Sequence, residues 1–124
     1  DSYHVLAHST EVDAVDAIDV RKVFLVQLSD FLWQETRSPQ DRMETARHYR
    51  VFPGEGVHSR EVGALVRKLD DTGYRGDFSF EVFNDDYKQL PLSMVAARAR
   101  RSVKWLVGLV SRRSLPARRL TAHR

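Results

Sequence analysis

The chain has 124 residues and no cysteine, with 42% hydrophobic and 30% charged residues, the profile of a globular domain with apolar side chains enough for a core. Disulfide frameworks, cysteine–zinc sites and thiol nucleophiles are thereby excluded, and no run of 18 apolar residues offers a membrane span. Charge is unevenly divided: residues 1–97 carry −6 and the last 27 carry +9, for a net +3, and an acidic body argues against nucleic acid as a partner.

In chain order, Ser9 and Thr10 can cap a helix that reaches Ile18, with Val12, Val15 and Ile18 three apart on one face. The run Val23-Phe24-Leu25-Val26-Gln27-Leu28-Ser29 is β-rich and apolar on both faces until Gln27, which predicts a strand buried on both sides. Residues 30–57 read as loop, with Pro39 opening a helical turn and Pro53-Gly54-Glu55-Gly56 forming a tight turn. A helix then starts at an N-cap Ser59, turns Val62, Leu65, Val66 and Leu69 to one side, and stops at Gly73.

Asp77 to Phe83 makes a second strand. After Pro91 a long helix runs to Val110, with Leu92, Val95, Ala96, Ala99, Val103, Leu106, Val107 and Val110 along one stripe. Strands alternating with helices predict an α/β fold with a parallel sheet. Two strands alone make a poor sheet, and a closed (β/α)8 barrel needs about 250 residues. The expected architecture is therefore a C-terminal fragment of such a barrel, about three of its eight units. Residues 1–111 are expected to form the barrel part, and 112–124 a basic tail or linker remnant.

Each strand places a long polar side chain near its C-terminal end, Gln27 in the first and Glu81 in the second. A buried, unpaired carboxylate costs several kcal/mol, so Glu81 must be paired, metal-bound or protonated. The C-terminal ends of parallel strands are where barrel enzymes build their sites. The start Asp1-Ser2-Tyr3-His4 offers a carboxylate and an imidazole three apart, types suited to a hard divalent cation and to proton transfer. Arg50 precedes the Pro53–Gly56 turn, where a guanidinium can be held beside a strand end. His8, His48, His58 and His123 have no ligand-like spacing and are expected on the surface.

The series Asp1-Ser2-Tyr3-His4, the stretch 23–30 (Val-Phe-Leu-Val-Gln-Leu-Ser-Asp), the stretch 50–56 (Arg-Val-Phe-Pro-Gly-Glu-Gly) and the stretch 78–84 (Phe-Ser-Phe-Glu-Val-Phe-Asn) resemble the C-terminal part of the xylose isomerase-like TIM-barrel superfamily. That superfamily holds sugar-phosphate isomerases and epimerases, and within it the likeness leans to bacterial 3-dehydroshikimate dehydratases. The resemblance implies one divalent metal ion (Mg, Mn or Co) held at strand ends, with Asp1, Gln27 and Glu81 among its ligands. It matches His4 to the histidine that moves the proton beside the substrate ketone. Arg50 matches the arginine that grips the polar end of a small-molecule substrate, with Arg47 and His48 as neighbours.

Glutamine at position 27, where isomerases usually carry histidine, leans towards the dehydratase. The implied reaction is lyase chemistry, 3-dehydroshikimate to protocatechuate by enolate formation and loss of water. A sugar or sugar-phosphate isomerase/epimerase is the alternative, and an inactive truncated fragment is the alternative from outside enzymology. A fused dioxygenase-like domain, as in some members, and a cytoplasmic setting are further expectations.

Overall fold

In the computed structural model, which describes residues 1–111, two short strands pair in parallel: β1 (Leu25–Leu28) and β2 (Asp77–Phe80). Leu25 lies opposite Asp77 and Leu28 opposite Phe80, and Glu81 N continues the ladder by donating to Leu28 O at 3.2 Å. The helices are α1 (Ser2–Ala7), α2 (Pro39–His48), α3 (Ser59–Asp71) and α4 (Leu92–Ser111). The order β1, α3, β2, α4 gives two strand–helix units, and the parallel register follows because α3 carries the chain back between the strands. The expected basic tail, 112–124, lies outside the described residues.

The core forms on one face of the sheet. Val26 and Leu28 of β1 meet Val62, Leu65, Val66 and Leu69 of α3, with Val15, Tyr74 and Leu106 closing around them. This corrects the expectation of a strand buried on both sides: Phe24 is 85% and Leu25 51% exposed. Side chains alternate along a strand, so Leu25, Gln27 and Ser79 share the face turned away from α3 and α4. The strand is also shorter than expected, four residues rather than seven.

Helix α3 begins one residue earlier than expected, with His58 rather than Ser59 as N-cap and no side-chain cap of its own. The missing acceptor comes from Asp30, beyond β1, whose carboxylate takes His58 N at 3.1 Å and Ser59 Oγ at 2.6 Å. Gly73 ends the helix as expected, at φ +94°, in the left-handed region that favours glycine. On α4 the buried positions are Ser102 and Leu106, while Leu92, Val103 and Val107 of the expected stripe are exposed. The helix is fixed instead by Ser102 Oγ donating to Pro53 O at 2.5 Å and by Trp105 lying over Gly54.

Three local expectations change. Residues 12–17 form a 3-10 helix rather than an α-helix; Val15 packs into the core while Asp13 and Asp16 both pair with Lys68 of α3. Residues 2–7, where no element was expected, are helical, because Asp1 caps them through Tyr3 N at 2.9 Å. The helical turn at Pro39 is a ten-residue helix, started by a capping box between Ser38 and Asp41 with Pro39 in its first turn.

Candidate functional site

Four of the five singled-out residues converge at the C-terminal ends of β1 and β2. The start of α1 is tied there by a reciprocal pair: Ser2 Oγ donates to Ser29 O at 2.8 Å, and Ser29 N donates to Ser2 Oγ at 2.9 Å. Tyr3 is fully buried, donates its hydroxyl to Arg42 O at 2.6 Å and packs edge-on against Phe31. Asp1 is thereby held over the end of β1.

Arg50 arrives on the segment between α2 and α3, which crosses both strand ends. Asp30 and Val51 exchange backbone hydrogen bonds at 2.9 and 2.8 Å beyond β1; Arg50 N donates to Phe83 O at 3.0 Å beyond β2. Asn84 Nδ2 secures the same crossing by donating to Arg50 O at 2.8 Å. The Arg50 side chain is 4% exposed. Its Nε donates to Ala46 O at 2.7 Å, and its guanidinium lies 4.6 Å from the Tyr3 ring centroid and 5.6 Å from that of Phe83.

One nitrogen of that guanidinium gathers the site. Arg50 Nη1 donates to Asp1 Oδ2 at 2.9 Å and to Glu81 Oε2 at 3.1 Å, with Glu81 O at 3.3 Å and Ser29 Oγ at 3.5 Å. Glu81 is therefore paired, as a carboxylate in its position requires. Burial lowers the Arg50 pKa while Glu81 opposes that shift, and a guanidinium remains cationic under both. His4 Nε2 stands 3.7 Å from Asp1 Oδ2. Burial, then the charge of Arg50, holds this imidazole below its ordinary pKa, so its neutral, proton-accepting form prevails at neutral pH.

Gln27 is placed by register rather than by contact. It lies opposite Ser79, two residues before Glu81, so alternation puts its amide on the same face as the Glu81 carboxylate. Arg47 is exposed, and His48 turns away to bond Asp85 Oδ2 at 2.8 Å, so neither joins Arg50. Nor is His58 a loose surface group, since it stacks on Phe31 and its Nε2 lies 2.9 Å from Trp33 O. Ser2, Ser29, Tyr3 and Asn84 escaped sequence reading. Their partners are mostly backbone atoms far along the chain, which leave no local pattern.

Asp1 and Glu81 aim one oxygen each at a single cationic nitrogen, the arrangement of a hard, positively charged occupant. Gln27 lies on the same face by alternation along β1. Among the described residues no group of three or more His, Cys, Asp or Glu gathers around one point. The two carboxylates have the chemistry of part of a ligand shell for such an ion, and Gln27, on the same face of the sheet, is of a type that can join them.

No family model matches the chain. Over 106 residues it is 34% identical to the 3-dehydroshikimate dehydratase of Pseudomonas putida and 31% identical to that of Pseudomonas aeruginosa. Both matches take in 86% of this chain but only 16% of the relatives' length. Among solved structures, the IolI protein with a bound zinc atom superposes with a TM-score of 0.67 at 23% identity, over 90% of this chain and 36% of that one. The latter share is close to the three units in eight expected of the fold. No helix among the described residues is long and apolar enough to cross a membrane. The chain is thus similar in sequence to part of these two dehydratases and has the fold of part of a (β/α)8 barrel.

Proposed function

We propose that this chain supplies part of the active site of a metal-dependent lyase that converts 3-dehydroshikimate to protocatechuate and water. The observation that carries the reading is the convergence of Asp1, His4, Arg50 and Glu81 where β1 and β2 end. The likeness to two proteins named for this reaction, and the glutamine at position 27, support the dehydratase over an isomerase. The metal is the one the resemblance implies, with Asp1, Gln27 and Glu81 as this chain's ligands.

A divalent cation in that shell would supply Lewis acidity to the substrate ketone and favour enolate formation. His4, neutral at the pH of the reaction, accepts the proton from the carbon beside the ketone. Arg50 offers the anionic end of the substrate a guanidinium already oriented by its Nε bond to Ala46 and by the Tyr3 and Phe83 rings. Loss of the ring hydroxyl as water then leaves the aromatic product, with no oxidant needed.

The test uses the intact protein, stripped of metal by a chelator. Consumption of 3-dehydroshikimate should return with Mn, Mg or Co ions, should be abolished by Glu81→Gln, and should fall about 10²–10⁴-fold in His4→Ala. Metal-independent turnover, or full activity in Glu81→Gln, would overturn the assignment.

A further inference from the structure

The proposed metal site contains its own competitor. Asp1 Oδ2 and Glu81 Oε2, the oxygens best placed for a cation, both accept from Arg50 Nη1. Two carboxylates brought this close repel one another, and the guanidinium between them offsets that repulsion. Its position is not accidental, because Nε is fixed on Ala46 O and the plane is lodged by the Tyr3 and Phe83 rings. A divalent ion and a guanidinium nitrogen cannot share the same two oxygens without strong repulsion at short range.

We propose that Arg50 is a displaceable latch. Without metal it holds Asp1 and Glu81 together; when a divalent cation binds, Nη1 gives up both oxygens and the guanidinium becomes available to an anionic substrate. The inference rests on the metal-dependent reading above and adds an order of events to it. Without metal the cluster of two carboxylates and one guanidinium carries a net negative charge and repels an anion. With a divalent cation added its charge is positive, so metal entry precedes and enables capture of a carboxylate-bearing substrate. Arg50 thus weakens metal affinity while keeping the empty ligand pair assembled.

Calorimetric titration of the metal-stripped intact protein with Mn ions tests this in wild type, Arg50→Met and Arg50→Gln. The latch predicts that both variants bind Mn more tightly, on the order of tenfold or more. It also predicts that the metal-free variants melt below metal-free wild type, and that saturating Mn closes most of that gap. Equal or weaker Mn binding by the variants overturns the latch and leaves the metal site standing. No Mn binding by wild type or either variant overturns the metal site and the latch with it. Should neither variant fold, wild type alone decides. The Arg50 side-chain N–H protons must lose protection from solvent exchange when Mg ions are added, and unchanged protection overturns the proposal.

Discussion

A side chain at position 56 would enter the volume that the Asp30 carboxylate occupies. That carboxylate is fully buried, accepts from Phe31 N, His58 N and Ser59 Oγ, and supplies the N-terminal acceptor that α3 lacks. Burial raises its pKa against those three bonds, so the site has little tolerance for further desolvation. Gly56→Ala should therefore cost about 1–3 kcal/mol of stability through overpacking, read as a lower urea midpoint. Gly108→Ala, in α4 with no neighbour near the added Cβ, should instead gain about 0.5–1 kcal/mol; equal effects would remove Asp30 from its capping role. At this scale the sequence was legible where a polar residue stood among apolar ones. Glu81 and Gln27 broke the strand pattern, and Asp1 and His4 stood out as a carboxylate and an imidazole three apart. Asp30 and Ser29 could not be read so, since each works through backbone or through partners 27 to 29 positions away.

Among the elements, α4 is clamped to the loops over the strand ends by three side chains. Tyr87, in the 3-10 turn Tyr87–Gln89, donates its hydroxyl to Glu55 Oε2 at 2.6 Å, and Arg98 of α4 reaches the same oxygen at 3.3 Å. The Tyr87 ring stacks on Phe52 with Arg98 over its face. Burial first, then the Glu55 carboxylate, pushes the Tyr87 hydroxyl up to about 12 from an ordinary value of 10.0. A raised acid pKa means that the unfolded chain gives up this proton more readily. The contribution is intact below pH 10 and is lost as pH rises through about 12. Titration by phenolate absorbance should show a component near pH 12 that Tyr87→Phe diminishes, with a shallower loss of stability above pH 10; because burial also raises the Tyr3 hydroxyl, a high-pH component remains, and only a curve unchanged in the variant would show that the clamp is elsewhere. Elements with an apolar stripe, α3 above all, were readable before the structure. Helix α2 was not, because only Thr45 of its ten residues is buried, and its signal lay in the Ser38–Asp41 capping box alone. The reach of α4 was readable, but the side it buries depends on Pro53, Gly54 and Glu55, which periodicity does not see.

For the whole molecule, the two faces of the sheet carry different instructions. One is packed under α3 and α4; the other presents Leu25, Gln27 and Ser79, and Leu25 is half exposed although a leucine in a strand is usually covered. In a (β/α)8 barrel the face opposite the helices is the interior, filled by layers of side chains from alternate strands. The superposition on 36% of the IolI chain assigns β1 and β2 to such a barrel, and Leu25 then belongs to a layer whose other members lie outside this chain. A substitution at this position separates the two situations. In the 124-residue chain, Leu25→Asp adds a solvated carboxylate and should change stability by no more than about 0.5 kcal/mol. In a complete barrel the same carboxylate is sealed in the interior without a partner, and should cost about 3–5 kcal/mol. Paired urea melts of the short chain and of a barrel completed by the missing strands would measure both. A small cost in the completed barrel would mean that Leu25 faces water there too, and that the sheet face bearing Gln27 is not the barrel interior. The position of Gln27 as a ligand would fall with it, since both residues owe their direction to the same alternation along β1.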